Sequence, residues 1–387
     1  MGTSAARDFN MNPFVIIWEP TRACDLACLH CRAAAQPLRS KFELSTYDGY
    51  KLIDQIAELE PQVFVLTGGD PLKRPDIYEY IDYARRRGLQ PSLTPSATPL
   101  LTTDSIDRMK QAGLTRLAVS LDGATAETHD FFRGVAGSFD LTLNSIRHAR
   151  KIGLPVQINS TVTRRTLGDL EAMGELLTTL DIAMWSVFFL VPTGRGKSEE
   201  MISAIEVEEV FARLYRISQT AGFDVKTTEA QHYRRHVIQQ RLREMNGDIG
   251  TLMEGGTIGP EVASLFASAS RRRDIIGMVT DQNLRVPRGV NDAKGFVFIS
   301  HIGEVYPSGF LPISGGNVRN RQLKEIYRNA PIFTSLRDTS QLRGKCGVCE
   351  FREICGGSRA RAYAMTGDVL GEEPLCVYQP AGSHAHE

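Results

Sequence analysis

The chain has 387 residues, room for two or three domains at about 150 residues each. Lys and Arg number 45 and Asp and Glu 45, so the formal net charge is zero, which excludes a dedicated nucleic-acid binder with its basic excess. With 42% hydrophobic and 23% charged residues the balance is globular rather than disordered, and no apolar run approaches the ~18–20 residues that span a bilayer.

A tail at 1–12 leads into a region, 13–200, that alternates strand and helix signals. Runs rich in β-branched and aromatic residues fall at Phe14–Trp18, Val63–Leu66, Leu114–Leu121, Val156–Thr161 and Trp185–Val191, with a weaker one near Gln90–Thr94. Helical-period segments separate them. Thr46–Leu59 places Leu52, Ile53, Ile56 and Leu59 on one face. Ser45, with Asp48 three residues on, reads as a capping box with Asp in the Glu position. Six strands alternating with helices predict an α/β protein whose parallel sheet has right-handed crossovers. The strands are apolar on both faces, as a covered sheet requires. An open or partly closed (β/α) barrel fits.

From 201 to 290 the pattern changes to a helical linker. Two amphipathic segments, Ile205–Ala221 and Glu229–Met245, precede a Gly-rich turn at 253–257 and a basic cluster at Arg271, Arg272 and Arg273. Beyond it, Phe296–Ser300 and Glu304–Tyr306 flank a turn and predict a hairpin, followed by a short helix near Gln322–Asn329. This section, 291–380, ends rich in cysteine, and a frayed tail occupies 381–387.

Seven cysteines fall in two tight groups, Cys24, Cys28 and Cys31, then Cys346, Cys349, Cys355 and Cys376. An odd count in a long chain does not suit a secreted disulfide framework; two groups, one at each end, suit two metal sites in a reducing compartment. The apolar stretch at the N-terminus is too short for a signal-peptide core, so the expected compartment is the cytoplasm. Three thiolates after the first strand leave one position of a cubane [4Fe–4S] cluster open to a small molecule. The alternative is a structural zinc knuckle completed by His30. Four thiolates at the other end satisfy a cubane or a zinc ribbon equally well.

The Cys24-Asp-Leu-Ala-Cys28-Leu-His30-Cys31 run resembles the signature of the radical S-adenosylmethionine superfamily. Its further elements occur in order. Thr67-Gly68-Gly69-Asp70-Pro71 looks like the family's Gly-Gly-Glu element, with Asp in the acidic place. Val119-Ser120-Leu121-Asp122-Gly123 is followed by His129-Asp130 and Phe132-Arg133-Gly134. The resemblance implies a partial (β/α)₆ barrel. It implies a [4Fe–4S] cluster on Cys24, Cys28 and Cys31 whose open iron is chelated by S-adenosylmethionine. It implies that the Gly68, Gly69 and Asp70 strand edge meets the methionyl amino group, that Arg133 and Ser120 meet its carboxylate, and that His30 and Val191 lie beside the adenine. Glycines at 68 and 69 fit, since they remove side chains where backbone must approach closely. The implied chemistry is reductive cleavage to a 5′-deoxyadenosyl radical that abstracts substrate hydrogen, fed by a reductant such as flavodoxin or ferredoxin. No residue stands out as the general base.

The C-terminal end resembles the SPASM/Twitch extension, which in full carries seven cysteines and two auxiliary clusters. Here Arg359 and Ser308 occupy places where the full pattern has cysteine. The resemblance therefore implies one auxiliary [4Fe–4S] cluster, on Cys346, Cys349, Cys355 and Cys376. The runs Leu190–Gly196 and Gly356–Tyr363 look like those of the group acting on siroheme-derived tetrapyrroles in alternative haem biosynthesis. A carboxylated small molecule is the expected substrate, and a peptide is the alternative, with only about a dozen residues before the first strand for a precursor-recognition domain. Lys226, His232, Arg234, Arg235, His236, Arg241, Arg243, Arg271, Arg272, Arg273, Arg285 and Arg288 are candidate carboxylate contacts, or solvated helix charges. A non-enzymatic iron–sulfur or zinc carrier would explain the cysteines, but neither the barrel pattern nor Gly68-Gly69-Asp70.

Overall fold

The first strand, β1 (Val15–Trp18), alternates half-buried and fully buried residues, and this alternation recurs through the sheet it starts. The protein is represented by a computed structural model that describes residues 7–248, 253–254, 257–258 and 289–380. Parallel strands follow in sequence order: β2 (Val63–Leu66), β3 (Pro91–Leu93), β4 (Arg116–Ser120), β5 (Val156–Val162), β6 (Met184–Phe189) and β7 (Asp224–Thr228). Two short strands, β8 (Met253–Glu254) and β9 (Thr257–Ile258), pair with each other. On the other side of β1, β10 (Phe296–Ile299) pairs parallel, and β11 (Glu304–Tyr306) and β12 (Gly316–Asn317) continue antiparallel. The ten-stranded order is β12-β11-β10-β1-β2-β3-β4-β5-β6-β7.

The six expected strands are present with ends displaced by a few residues. The sheet does not stop at residue 200, however. Strand β7 has the sequence Asp-Val-Lys-Thr-Thr, too polar to announce itself as a strand, because it is an edge with one face toward solvent. The hairpin near residue 300 adds to β1 and so belongs to the same sheet.

Helices α1 (Thr46–Ala57), α2 (Ile77–Arg86), α3 (Thr103–Gln111), α4 (Ala126–Arg133), α5 (Ser138–Lys151), α6 (Leu170–Thr179), α7 (Ala204–Thr220) and α8 (Tyr233–Glu244) flank the strands. The α1 capping box is formed as expected, with Ser45 and Asp48 each accepting from the other's backbone N–H. Helix α8 starts later than the apolar period suggested, because Glu229 adopts a left-handed backbone (φ 56°) that a helix cannot contain. No helix among the described residues is long and apolar enough to cross a membrane.

A closed eight-stranded barrel fills its interior with side chains. Here Val15, Ile17, Val63, Val65, Ser92, Gln157, Asn159 and Thr161 retain solvent contact, whereas Ile16, Trp18, Phe64, Leu66, Leu93 and Ile158 are buried. The main core therefore lies outside the sheet, beneath the helices, where Trp18 packs on Tyr80 with ring centroids 5.0 Å apart. The inside of the partial barrel is an open lumen.

Candidate active site

A cavity with about 1080 Å³ of atom-free space, its mouth included, lies at the C-terminal ends of the strands. Cys24, Cys28, Cys31, His30, Gly68, Gly69, Ser120, Arg133 and Val191 all line it. Residues separated by more than 160 positions thus meet where a parallel barrel gathers its strand ends.

The cysteine loop is held mainly through backbone. Its edges pair at Cys24 N–H to Gln36 O (2.8 Å), and Leu29 N–H donates to Phe132 O at the end of α4 (3.1 Å). Gly68 (φ 150°) has no room for a side chain because a Cβ would strike Thr21 O, and Gly69 N–H donates to that same carbonyl (2.9 Å). These glycines make room for the cysteine loop as well as for a ligand. Gly194 (φ 62°) likewise abuts the carbonyls of Cys31 and Arg32. The following Arg195 donates from Nε to Cys28 O (2.9 Å), and its buried Nη2 has no protein partner.

Asp70 departs from expectation. It is fully buried, lies outside the cavity lining, and accepts from Leu72 N–H (3.1 Å) and Thr98 Oγ1 (2.8 Å). Burial pushes its carboxyl up. Its role is to brace the turn behind Gly68 and Gly69, since a short acidic side chain at this cap reaches backbone N–H groups better than it reaches the cavity.

Arg133 ion-pairs with the buried Asp122 and lies 3.6 Å from Cys28 Sγ. Burial raises the Asp122 carboxyl, but the Arg133 guanidinium outweighs it and holds the group below its usual range. The guanidinium is thus oriented before any ligand binds. His30 stacks on Phe132 at 4.2 Å, and burial holds the imidazole down at about 4, so it is a neutral, flat wall. Ser120 and Val191 sit at the ends of β4 and β6. Burial raises the Cys24 thiol, and Ser96 Oγ stands 3.3 Å from it. Sequence reasoning missed Ser96, Asn159, Arg195 and Phe310 as cavity residues; for Arg195 the signal was present in the Leu190–Gly196 run.

The four C-terminal cysteines line a second, smaller pocket with His232, Arg235, Phe351, Glu373 and Tyr378. All seven cysteines are free. Among the described residues no three His, Cys, Asp or Glu side chains form a compact single-ion shell; each thiol set surrounds a cavity. Glu373 N–H donates to Cys346 Sγ (3.4 Å), Arg359 Nη2 lies 3.9 Å from it, and Gly357 N–H donates to Cys355 Sγ (3.4 Å). Burial drives the thiol of Cys349 up to about 12. A cation bound among these sulfurs would reverse that balance.

Ser308 is engaged elsewhere, and Arg359 donates to the carbonyls of Val369 (3.0 Å) and Gly371 besides lying near Cys346 Sγ. Ser308 Oγ donates to Glu229 (3.1 Å), whose other oxygen accepts from Ser358, while Arg361 pairs with Glu373 (3.0 Å) and donates to Phe189 O (3.2 Å). Burial raises Glu373, but Arg361 and its neighbours outweigh this and hold it at about 2. This buried network touches both cavities, through Phe189 O at the first and Glu373 at the second.

The expected carboxylate contacts divide. His236 and Arg235 face Glu208, and Arg241 pairs with Glu244. His232 faces the second pocket. Arg271, Arg272, Arg273, Arg285 and Arg288 lie outside the described residues.

Residues 18–181 match the sequence model of the Radical SAM superfamily. An AdoMet-dependent heme synthase of Methanosarcina barkeri is 39% identical over 95% of this chain and 97% of its own. An Fe-coproporphyrin III synthase of the same organism is 28% identical over 94% and 87%. The crystal structure of Streptococcus suis SuiB bound to S-adenosylmethionine has the same fold, with a TM-score of 0.69 at 14% identity over 95% of this chain and 78% of SuiB.

Proposed function

The chain belongs to the radical S-adenosylmethionine superfamily, and on that premise we propose that it removes carboxylate groups oxidatively from the side chains of an iron tetrapyrrole. It is a radical SAM enzyme that works with S-adenosylmethionine and a [4Fe–4S] cluster. The observation that carries the tetrapyrrole reading is full-length kinship, at 39% identity, with a heme synthase. The open lumen supports it, because a flat macrocycle needs a barrel whose inner positions are not packed.

The donor chemistry fits the expected groups. We read Cys24, Cys28 and Cys31 as ligands of the cluster, and the Gly68-Gly69 edge, Ser120, Arg133, Val191 and His30 as contacts to S-adenosylmethionine. The unpartnered Arg195 Nη2 joins them, since a buried guanidinium N–H without an acceptor calls for an anion. When bound, these groups supply a 5′-deoxyadenosyl unit that takes a hydrogen atom from carbon. The protein orients that unit with the preset Arg133, walls it with neutral His30, and excludes water.

A propionate that loses one β-hydrogen atom, carbon dioxide and one electron becomes a vinyl group. That electron needs an acceptor, and we assign it to one auxiliary cluster on Cys346, Cys349, Cys355 and Cys376. Ser308, tied to Glu229, and Arg359, tied to the carbonyls of Val369 and Gly371, support one cluster there rather than two. A flavodoxin or ferredoxin would be the reductant of the first cluster. Anaerobic enzyme incubated with Fe-coproporphyrin III, S-adenosylmethionine and dithionite should yield products lacking carbon dioxide and two hydrogens per side chain by mass spectrometry. Rapid 5′-deoxyadenosine formation with unaltered porphyrin would overturn the substrate assignment.

A further inference from the structure

Strand β7 forms one edge of the ten-stranded sheet, and Lys226 is its central residue. Register fixes which way that side chain points. Ser120, Asn159, Ser186 and Lys226 occupy one continuous rung across β4, β5, β6 and β7. Side chains paired on a rung project from the same face. Ser120 and Asn159 line the main cavity, and so does Phe188, one step up the same face of β6. Thr228, two residues after Lys226, confirms the facing through its 3.2 Å contact with Ser186 Oγ. Lys226 therefore faces the lumen, two strands from Asn159, which is about 10 Å at the usual strand spacing.

Its surroundings are unusual for a lysine. Lys226 is the one solvent-exposed residue of β7, and desolvation by the protein around it, with two nearby cations, holds its ammonium down at about 8. The charges acting on it are two further cations, Arg116 and Arg234. Arg116, at the foot of β4, reaches across to within 4.0 Å of Met184 Sδ, whose strand position pairs with Asp224. Arg234 donates to the carbonyls of Val290 (2.6 Å) and Ile354 (2.7 Å), which are neutral acceptors. Of the described strand positions facing this lumen, β4 to β7 carry Arg116, Lys226 and a single acid, Asp224, which acts on Arg116. An inward lysine also protects an edge strand from pairing with another chain.

We propose that Lys226, backed by Arg116 and Arg234, is a carboxylate subsite that holds one propionate of the substrate at the open edge of the lumen, while a second propionate faces the cysteine loop. This rests on the tetrapyrrole reading and adds to it the residue that sets which side chain is presented for reaction. An ammonium in a partly desolvated cleft binds a carboxylate through a charge-assisted hydrogen bond.

The test is absorbance titration of the anaerobic holoenzyme with Fe-coproporphyrin III and with its tetramethyl ester. Wild-type protein should bind the acid more tightly than the ester. Lys226→Met should weaken acid binding about ten- to a hundredfold and leave the ester unchanged, and Lys226→Arg should recover most of the loss. In wild-type protein, amine labelling at Lys226 followed by mass spectrometry should be blocked by Fe-coproporphyrin III, a readout that does not depend on a variant's folding. If wild-type protein binds neither porphyrin, the tetrapyrrole reading falls and the subsite with it. If it binds the acid while Lys226→Met binds equally well, or loses acid and ester alike, or if labelling is undiminished by bound porphyrin, the subsite alone is refuted.

Discussion

The two thiol sets differ most in how much space they face. The N-terminal three hang on backbone: carbonyls of Thr21, Cys28 and Cys31 abut Gly68, Gly69, Gly194 and Arg195, and the loop opens onto the lumen. The C-terminal four line a small pocket, where Arg359 and the Glu373 backbone N–H meet Cys346, Gly357 N–H meets Cys355, and the Arg361–Glu373 pair lies behind them. Three thiols in a roomy cavity leave space for a reactant at the metal, whereas four in a small pocket suit a group that passes an electron without binding anything. The contrast teaches that ligand count and enclosure point the same way in each site.

The sharpest way to break this comparison is to remove one site entirely. Replacing Cys24, Cys28 and Cys31 together should abolish 5′-deoxyadenosine formation while about four irons per chain remain at the other end. Activity surviving in that variant, by chromatography of the quenched reaction, would end the assignment. The reciprocal change, Cys349→Ala, should keep substrate-independent S-adenosylmethionine cleavage but lose porphyrin product. Circular dichroism on the same sample checks folding. Normal product from a folded variant would leave the relay role without support, and zinc in place of iron after anaerobic purification would replace it with a structural one.

A third measurement addresses the scaffold. Arg361 and Glu373 are both buried, so Arg361→Leu strands the Glu373 carboxylate and leaves the Glu229 carbonyl without its guanidinium donor, and should cost about 3–5 kcal/mol in urea unfolding. A loss below about 1 kcal/mol would mean that the charged network does not hold this site together. The smallest effect concerns the open site. Arg133→Ala should weaken S-adenosylmethionine binding by about 1.5–3 kcal/mol, the range for hydrogen bonds to charged groups. Calorimetry on Asp122→Asn alongside separates the two jobs of the arginine, because that variant frees Arg133 without removing it. Unchanged affinity in Arg133→Ala would take it out of the site.

Much of this was legible before any coordinates. The spacing of Cys24, Cys28 and Cys31, the Gly68-Gly69 pair and the six apolar runs are local patterns, and local patterns survive in one dimension. The capping box at Ser45 and Asp48 is of the same kind, since both partners lie within one helical turn. Asp70 was misjudged for the opposite reason. Whether a carboxylate meets a ligand or a backbone N–H depends on which way a strand end turns, and Thr98, its 2.8 Å partner, is 28 residues away.

The residue pattern carried the chemistry on offer: which thiols, which glycines, which six apolar strands, and the absence of cysteine at 308 and 359. Where charge is balanced and where it is not emerged with the folded chain. Ser308 and Ser358 meet on Glu229, Arg361 reaches from the C-terminal region to Phe189 O at the end of β6, and Lys226 faces the lumen among other cations. The physical reason is that burial and Coulomb interaction depend on distance through space, whereas periodicity records only distance along the chain. Polar β7 shows this most plainly. Asp224, Lys226 and Thr228 face open lumen and Val225 alone offers an apolar side chain to the core, so little in its hydrophobicity marked it as strand, and only pairing with β6 made Lys226 a lumen residue.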